Sequence, residues 1–520
     1  MNLIETVFRK ADQLDRWAAP AIRYRDGTVS YQQLLQSVKR CGGLLKRAGI
    51  EPGERVAILA RDCPEFIVSF LGATAIRAVA VPINTMLRAA DLAYILNDCG
   101  ARAALITGEQ GAKLSTIKDQ VHSLTHLWVA GENPEGLADF NAELSTADEV
   151  EVAPAEDRDL ALILYTSGST GKPKGAMHRH GDLPYTVNSF CNHVLAPEPD
   201  DRFFSSSRLF FAYGLGNSLS FPLSSGASVI LLSEKPSSQA IAETFHRYHP
   251  TIFFGVPAVF RALGEYVAAG NKLDTSSLRL CISAGEKLPE SLFHEWKNLT
   301  GLDVLDGLGS TEMLHTFLAN TRNRVTPGSS GRPVPGYEVK LLDPQGAEVI
   351  GPGSGELVVK GGSSSPGYWN DPERTARTIE GDWVRTGDVY SRDAGGEYWC
   401  GGRADDLFKI HGLWVQPAEV EEAILASEEI VEAAVVPGSD ERGMTTVVAY
   451  LVPRSGCSPN AAFEQELTAR IAAQLPAFKR PCELRFISQL PRTATGKVQR
   501  YKLRDQSGKS NRSGSGGTSA

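Results

Sequence analysis

The stretch LALILYTSGSTGKPKG, residues 160–175, joins an apolar run to a loop rich in glycine, hydroxyl groups and lysine. The apolar run 160–164 predicts a strand that is buried on both faces. In the loop that follows, glycines let backbone N–H groups turn inward, hydroxyls donate hydrogen bonds, and lysines supply positive charge. The stretch therefore predicts a buried strand that opens into a cradle for a polyphosphate.

Two other interpretations of this loop must be weighed. Clusters of glycine, serine and threonine are commonly plain surface loops. A Walker-type nucleotide loop needs four residues between its first glycine and the closing Gly-Lys-Ser/Thr. Here only two residues separate Gly168 from Gly171, and Pro173 follows Lys172, so the Walker pattern fails. The loop thus indicates a different class of ATP enzyme.

The bulk composition is that of a globular protein with more than one domain. A chain of 520 residues is too long for one compact core. Its formal net charge of −8 argues against a general nucleic-acid binder. The eight cysteines form no C-x-x-C pair, which is typical of free thiols in a reducing cytoplasm. The N-terminus lacks the apolar core of a secretory signal, and the apolar stretch 67–83 is interrupted, so we expect a cytoplasmic protein with no membrane or nucleic-acid partner.

The pattern of apolar residues divides the chain into regions. Residues 1–160 and 160–340 alternate helical and strand-like segments, which predicts a layered α/β architecture. Within the first region, the polar segment 132–158 is predicted to be a surface connection. After Pro327, glycine-punctuated segments predict a smaller β-rich unit. Beyond a glycine and charge cluster at 401–406, about 100 residues carry their own helices and strands, as in a small α+β domain.

Three further clusters have residues suited to ATP chemistry. The segment DGLGSTE, 306–312, offers a hydroxyl for phosphate and a carboxylate for Mg²⁺. The segment RTGD, 385–388, places a carboxylate where it can accept hydrogen bonds from ribose hydroxyls. The segment PRTATGK, 491–497, holds a lysine that can stabilise developing negative charge. Each cluster alone also has an ordinary explanation: a helix start, a turn aspartate and a solvated lysine.

In combination, YTSGSTGKPKG, DGLGSTE, RTGD, GRADD and PRTATGK resemble the acyl-adenylate-forming superfamily of acyl-CoA synthetases, luciferases and peptide-synthetase adenylation domains. The resemblance covers residues 10–505. It implies an α/β fold with a large N-terminal domain of two α/β subdomains plus a β-barrel-like unit, and a small mobile α+β C-terminal domain. The domains expected are 1–402, a hinge at 403–406, 407–505, and a disordered tail at 506–520.

The resemblance also implies which residues handle ATP. Thr311 would meet the α-phosphate, Glu312 the Mg²⁺, and Lys497 would bridge the carboxylate and the α-phosphate. Asp388 and Arg403 would hold the ribose. The loop for the β- and γ-phosphates would comprise Thr166, Ser167, Gly168, Ser169, Thr170, Gly171, Lys172 and Lys174. Two segments would lie near adenine: Gly285, Glu286 and Lys287, and Asp306, Gly307 and Leu308.

Two further positions match the family pattern and one departs from it. Asp405 matches the hinge of the small domain, and Gly412 matches the glycine that lets the pantetheine arm of coenzyme A pass close to the backbone. Leu308 departs from the pattern, since many members carry an aromatic residue there that stacks on adenine. Leucine offers only an apolar face to the base.

The acid is suggested by a second, narrower resemblance. The segments RLFFAYGLGN, 208–217, EMLHT, 312–316, and HRH, 178–180, resemble the benzoate-CoA ligase branch. His315 is expected one helical turn past Glu312, with a satisfied helix histidine as the alternative. His178 and His180 are expected to be structural. The resemblance implies a flat pocket for an aromatic acid, lined by Ala212, Tyr213, Gly214, Gly307, Leu308, Gly309 and His315. Benzoate, hydroxybenzoate and 2-aminobenzoate (anthranilate) all remain open.

The reaction implied has two steps. A carboxylate attacks the α-phosphorus of ATP to give acyl-AMP and pyrophosphate, and the thiol of coenzyme A then displaces AMP. The small domain turns between the steps. Three other functions remain open: an enzyme that loads a carrier protein, a non-catalytic protein that binds nucleotide or aryl-AMP, and a luciferase-type oxygenase. A monomer or a homodimer is expected.

Overall fold

The computed structural model describes residues 1–25, 27–133, 135–167, 172–410, 413–440, 444–454, 456–457, 459–492 and 498–507. The chain forms two compact units. The first unit comprises Met1–Val339 and Val358–Thr386, and the second comprises Lys340–Leu357 and Gly387–Ala520. The predicted domain limits and the hinge at 403–406 stay predictions. Residues 508–520, where a tail is predicted, lie outside the described residues.

The helices begin and end as follows: α1 Leu3–Gln13, α2 Tyr31–Arg47, α3 Pro64–Ala75, α4 Ala89–Cys99, α5 Gly111–Ser115, α6 Phe140–Thr146, α7 Asp182–Thr186, α8 Ala212–Leu215, α9 Phe221–Ser224, α10 Ser238–Tyr248, α11 Pro257–Ala268, α12 Glu290–Thr300, α13 Pro372–Thr378, α14 Pro417–Leu425, α15 Ala461–Gln474 and α16 Arg500–Ser507. Two π-helical segments, Val187–Leu195 and Gly216–Ser220, follow α7 and α8 directly.

The strands are β1 Pro20–Tyr24, β2 Gly27–Ser30, β3 Arg55–Leu59, β4 Val79–Pro82, β5 Ala103–Thr107, β6 His126–Ala130, β7 Ala138–Asp139, β8 Leu160–Ser167, β9 Pro173–Arg179, β10 Arg202–Ser205, β11 Ser228–Leu231, β12 Ile252–Gly255, β13 Leu280–Ala284, β14 Val304–Gly309, β15 Thr316–Ala319, β16 Arg332–Pro333, β17 Glu338–Leu342, β18 Gly353–Lys360, β19 Ile379–Glu380, β20 Trp383–Arg392, β21 Tyr398–Arg403, β22 Phe408–Ile410, β23 Leu413–Val415, β24 Ile430–Ser439, β25 Thr445–Pro453 and β26 Glu483–Phe486.

Two sheets form the frame of the first unit. One has the strand order β7-β6-β5-β3-β4-β8-β9 and the other β16-β15-β14-β13-β12-β10-β11-β1-β2. Most neighbours run parallel, while β9 turns back antiparallel along β8 and β15 turns back along β14. Ligands of such sheets bind beyond the carboxyl ends of the parallel strands. The loops after β8, β13 and β14 are therefore the places to examine for a site.

Local sequence accounts for the elements of these sheets. Helix α2 begins at a capping box in which Ser30 and Gln33 satisfy each other's backbone N–H groups. Strand β5 is buried at every residue, as its uniformly apolar sequence predicts. The predicted surface connection 132–158 differs in one respect, because it contains α6. That helix forms because Asp139 caps it and Phe140 and Leu144 are buried.

The first unit has an aromatic core under the second sheet. Phe253 packs edge-on against Phe260, and Phe260 against Trp296, with ring centroids 5.5 and 4.9 Å apart. These residues are almost fully buried and join β12 to α11 and α12. Dense aromatic packing of this kind contributes beyond its buried area. It anchors the strands whose ends carry the candidate site.

The second unit has its own core. Strands β24, β25 and β26 form one sheet, and β22 pairs with β23. Helices α14 and α15 contribute Val420, Ile424 and Leu467 to an apolar cluster with this sheet. The predicted α/β class, with a separate α+β C-terminal part, is confirmed. Within the described residues, no helix has both the length and the apolar character that crossing a bilayer requires.

Candidate active site

The hairpin of β8 and β9 carries the lysine-rich end of the opening stretch. Thr166 in β8 pairs with Lys174 in β9. Lys172 is exposed, with its Nζ 5.9 Å from the centre of the Tyr94 ring. The predicted loop residues Gly168, Ser169, Thr170 and Gly171 lie outside the described residues, and Ser167 ends β8. The structure thus describes the residues at the two ends of the predicted phosphate loop.

Lys174 meets Glu312 in a compact cluster. Its Nζ donates to Oε1 of Glu312 at 2.9 Å and to the hydroxyl of Tyr368 at 2.7 Å. The Tyr368 hydroxyl in turn donates to the same Oε1 at 2.5 Å. Only 21% of the Lys174 side chain and 14% of the Glu312 side chain are exposed. The lysine of one predicted motif therefore contacts the glutamate of another.

The cluster keeps Glu312 ionised. Burial on its own would raise the pKa of this carboxyl, but the charge of Lys174 and the hydrogen bonds from Tyr368 and Lys174 outweigh burial and lower the pKa to about 2. Burial and the adjacent carboxylate raise the pKa of the Tyr368 hydroxyl. At neutral pH the site holds an ammonium, a carboxylate and a neutral phenol.

Tyr368 is held in place by backbone pairing with β9. The N–H of Met177 donates to the carbonyl of Gly367 at 3.0 Å, and the N–H of Trp369 donates to the carbonyl of Gly175 at 2.8 Å. Nε1 of Trp369 also donates to the carbonyl of Asp98 at 3.0 Å. The segment 367–369 is thus an extension of the sheet edge, and only 3% of Tyr368 is exposed.

Thr311 is positioned through its carbonyl. Nε2 of His178 lies 2.7 Å from that oxygen, and Nδ1 of the same ring lies 3.1 Å from Oδ2 of Asp182. His178 is fully buried. Because a carbonyl only accepts, Nε2 carries a hydrogen in this contact. The structural role expected of His178 is therefore support for the Thr311–Glu312 turn.

A turn of left-handed backbone separates Glu312 from His315. The segment Thr311–Met313 forms a single 3-10 turn, and Leu314 has a φ of 63°. A non-glycine residue pays a conformational cost for this φ, and such residues concentrate at functional sites. His315 comes just before β15. The expectation that His315 lies one helical turn past Glu312 is wrong, because the 3-10 turn ends at Met313 and the backbone is left-handed at Leu314.

His315 lies instead among aromatic rings. Its ring centroid is 5.4 Å from that of Tyr213, 5.0 Å from Phe190 and 4.5 Å from Phe221. Its Nε2 lies 3.2 Å from Oδ1 of Asn217, while Nδ1 is buried with no hydrogen-bond partner among the described residues. Burial lowers the pKa of His315 to about 3. His315 is therefore a neutral imidazole in an apolar, aromatic surrounding.

At several of the predicted pocket glycines, a side chain would collide with the backbone of a neighbouring segment. A Cβ on Gly214 would lie 1.9 Å from the carbonyl oxygen of Arg208, and one on Gly309 would lie 2.6 Å from that of His315. A Cβ on Gly307 would lie 2.8 Å from the carbonyl oxygen of Leu318. Ala212, in α8, is buried. These positions hold α8 and the β14–β15 turn close to neighbouring backbone.

The predicted adenine segments end two adjacent parallel strands. Gly285 follows β13 with a φ of 95°, and Asp306 lies in β14 beside Ser283 of β13. Asp306 is 3% exposed, and burial raises its pKa well above the usual range. Its Oδ1 has no hydrogen-bond partner within the described part of the chain. Glu286, Lys287 and Leu308 are partly exposed around the strand ends.

In the second unit, Asp388 and Arg403 form the predicted pair. They face each other on β20 and β21, and Nη1 of Arg403 donates to Oδ1 of Asp388 at 2.9 Å. A Cβ on Gly387 would lie 2.7 Å from Nη2 of Arg403, so the adjacent glycine makes room for the guanidinium. Asp405 is exposed in the turn that follows β21. Gly412 and Lys497 lie outside the described residues.

Two residues of the site escaped the sequence analysis. Tyr368 stands in a GYW segment with no local chemical signature. Asn217 ends the aromatic segment 208–217. Nothing in the local sequence indicates that its amide contacts His315, about 100 residues further along the chain. Both contacts join segments that are distant in sequence, so spacing alone could not indicate them.

Comparisons with known proteins find two matching family models and several similar proteins. The AMP-binding enzyme family matches residues 8–369, and the AMP-binding enzyme C-terminal domain matches residues 419–497. The benzoate–CoA ligase of Thauera aromatica is 42% identical over 92% of this chain and 91% of that protein. The anthranilate–CoA ligase of Pseudomonas aeruginosa is 35% identical over 97% of this chain and 96% of that protein.

A solved structure extends the likeness to the whole fold. The anthranilate CoA ligase AuaEII in complex with anthranoyl-AMP superposes with a TM-score of 0.92 and 34% identity, over 98% of this chain and 97% of that chain. The family match covers well over half of the present sequence. We conclude that the chain belongs to the AMP-binding enzyme family.

Proposed function

We propose that this protein is an ATP-dependent acid–thiol ligase that converts an aromatic carboxylic acid to its coenzyme A thioester. The acid is benzoate, a hydroxybenzoate or anthranilate, and the products released are AMP and pyrophosphate. One observation carries the proposal. An ionised carboxylate, Glu312, and a neutral imidazole among aromatic rings, His315, stand on one turn between β14 and β15. A group that can bind a cation thus lies close in sequence to a group that contacts aromatic rings.

The named activities of the relatives support the thiol-ligase assignment. Both curated relatives described above are CoA ligases of aromatic acids, and each aligns over nearly its whole length. We place the reaction in the cytoplasm, where thiols stay reduced.

The donors present fit Mg²⁺. This cation prefers oxygen ligands and is commonly held by one or two carboxylates together with substrate phosphates. Glu312 supplies an ionised carboxylate, and both of its side-chain hydrogen bonds fall on Oε1. Glu312 would hold the ion, which supplies charge neutralisation to the phosphates when bound, and Thr311 would meet the α-phosphate.

Adenylation requires two anions to approach each other. Lys174 and the loop 166–172 bind the β- and γ-phosphates, and Lys497 bridges the acid's carboxylate and the α-phosphate. A carboxylate oxygen bonds to the α-phosphorus as the bond to pyrophosphate breaks. His178 contributes indirectly by holding the carbonyl of Thr311. The catalytic work is positioning and charge neutralisation.

Nucleotide and acid occupy different surfaces of the site. Gly285, Glu286, Lys287, Asp306 and Leu308 lie on the adenine side. In the second unit, Asp388 and Arg403 bind the ribose and Gly412 borders the pantetheine arm, while Asp405 is the hinge. Ala212, Tyr213, Gly214, Gly307, Gly309 and His315 form the acid side.

Thioester formation follows on the same acyl group. The sulfur of coenzyme A bonds to the carbonyl carbon of the aryl-AMP, the thiol proton is lost, and AMP leaves with the electrons of the broken acyl–oxygen bond. A planar ring suits the aromatic surroundings of His315. A neutral imidazole there avoids an uncompensated buried charge beside the acid's ring.

An acid screen tests the proposal. AMP formation would be measured in the presence of ATP, Mg²⁺ and coenzyme A with benzoate, its 2-, 3- and 4-amino and hydroxy derivatives, and cyclohexanecarboxylate. We expect AMP and an aryl-CoA product with at least one aromatic acid, and little with the saturated ring. AMP-forming transfer to a carrier protein but not to coenzyme A would favour a carrier-loading enzyme. Binding of nucleotide without any turnover would favour a non-catalytic protein.

A further inference from the structure

The hydrogen bonds around Glu312 have one possible direction. An ammonium group only donates, so Lys174 donates to both the Tyr368 hydroxyl and Oε1 of Glu312. The Tyr368 oxygen therefore accepts from Lys174, and its single hydrogen goes to Oε1 of Glu312 at 2.5 Å. The tyrosine hydroxyl is an oriented donor to the carboxylate.

Under the proposed function, Lys174 has a second partner. Its ammonium is the ligand of ATP phosphates and cannot at the same time neutralise Glu312 to the same extent. Lys174 and Tyr368 both hold Oε1 of Glu312 through hydrogen bonds. When Lys174 turns to phosphate, another group must keep the carboxylate in position until the cation binds.

Tyr368 can fill this need because it stays in place. The backbone hydrogen bonds of 367 and 369 with β9 and the indole contact of Trp369 with Asp98 do not involve Lys174. The hydroxyl fixes Oε1 of the carboxylate, which leaves Oε2 to face a cation.

We propose that Tyr368 is a positioning residue for the cation-binding carboxylate: its hydroxyl holds Oε1 of Glu312 in place while Lys174 exchanges from Glu312 to the phosphates of ATP. The inference rests on the proposed function, since it assumes that ATP and a divalent cation meet at Glu312. Tyr368 itself touches neither the acid nor the phosphorus.

The test compares the full-length protein with its Tyr368→Phe variant, which removes one oxygen. Mn²⁺ binding would be followed by electron paramagnetic resonance in the presence of a non-hydrolysable ATP analogue. We expect the Kd for Mn²⁺ to rise about tenfold, as for loss of one hydrogen bond to a charged group. In pyrophosphate exchange, KM for the Mg²⁺ complex of ATP should rise, with KM for the aromatic acid unchanged.

A matched control is Tyr31→Phe. Tyr31 is a fully buried tyrosine of the same unit, and its hydroxyl donates to the carbonyl of Ala227 at 2.6 Å. We expect this variant to change thermal stability but to leave the Mn²⁺ Kd and the KM for the Mg²⁺ complex of ATP as in the unaltered protein. An equal rise of Kd in both variants would mean a general loss of stability and would overturn the proposal.

A double-mutant cycle with Lys174→Met tests the exchange of partners directly. Lys174→Met keeps Tyr368, so it should retain Mn²⁺ binding at neutral pH, with a weaker ATP affinity. Adding Tyr368→Phe should then abolish Mn²⁺ binding. The loss of Mn²⁺ affinity in the double variant should exceed the sum of the losses in the two single variants. Mn²⁺ binding that is insensitive to Tyr368 in both backgrounds would refute the role.

The outcomes separate this inference from the proposed function. If no acid supports AMP formation, the ligase assignment fails, yet the Mn²⁺ measurements still decide whether Tyr368 positions Glu312. If AMP forms normally and Mn²⁺ binding is unchanged in Tyr368→Phe, the ligase assignment stands and the role of Tyr368 is wrong.

Discussion

Nε2 of His315 lies 3.2 Å from Oδ1 of Asn217, and both side chains are buried. The amide of Asn217 is oriented from its other end, where Nδ2 lies 3.5 Å from Oγ of Ser205. Ser205 in turn donates to the carbonyl of Ser207 at 3.3 Å, so its oxygen accepts from Asn217. This chain places the imidazole hydrogen on Nε2 and leaves Nδ1 as an acceptor.

The first prediction concerns Asn217→Leu. Loss of the amide leaves Nε2 of His315 without its acceptor and frees the ring to turn. A buried hydrogen-bonding group left unpaired costs about 1–3 kcal/mol. Steady-state kinetics should show a higher KM for the aromatic acid and an unchanged KM for ATP. Equal changes in both constants would contradict a role limited to the acid side.

The second prediction concerns Glu312→Gln. The amide keeps the shape of the side chain but removes the charge that Lys174 and a cation require. Because transition-state charge stabilisation is lost, pyrophosphate exchange should fall by about 10²–10³-fold. Binding of the aromatic acid should be little affected, which isothermal titration would check. Activity within a few fold of the unaltered protein would show that Glu312 is not the cation ligand.

The third prediction concerns stability against acid. The pKa of Glu312 lies below its ordinary value of 4.5, at about 2. A carboxyl whose pKa is lowered by folding stabilises the fold at pH values above its ordinary pKa. This contribution is lost as the pH falls from about 4.5 toward 2. The unfolding free energy of the unaltered protein should therefore exceed that of Glu312→Gln at pH 7 and approach it near pH 2. Urea unfolding across this range is the measurement, and a difference that grows on acidification would contradict the sign.

The fourth prediction concerns Gly216→Ala. A Cβ at this position would lie 2.3 Å from Cδ2 of His315, so the imidazole or the π-helical segment Gly216–Ser220 must move. We expect kcat/KM for the acid to fall more than tenfold, since misplacement near the reacting group is costly. Gly264→Ala is a suitable control, because a Cβ there meets nothing within 4 Å. Within α11 that change should raise stability by about 0.5–1 kcal/mol and leave the kinetics alone.

The fifth prediction concerns Asp388→Asn. The change weakens both the pairing with Arg403 and the acceptance of ribose hydroxyls. KM for ATP should rise about tenfold, as for loss of a hydrogen bond to a charged group, with KM for the acid unchanged. Comparing ATP with 2′-deoxy-ATP provides the check, because the variant should discriminate less between them than the unaltered protein does.

Much of the fold could be predicted because its signals are local. The spacing of apolar residues predicts α2 at 31–48, and the structure has Tyr31–Arg47. The apolar runs 55–60 and 103–106 correspond to β3 and β5. The short helix α6 was missed because its two buried residues, Phe140 and Leu144, are too few to set up a period. The ordered motifs likewise led to the family, since each is a contiguous run.

The amino-acid order thus decides the elements, the motif residues and the family, because these depend on neighbours along the chain. The tertiary structure alone decides that Tyr368 joins Lys174 and Glu312, and that Asn217 orients His315. These contacts span 56 to 194 residues and arise from strand pairing at the sheet edge and from the left-handed turn at Leu314. Leu160–Gly175 predicts a phosphate cradle, but the protonation states that let it work are set by side chains from elsewhere in the fold.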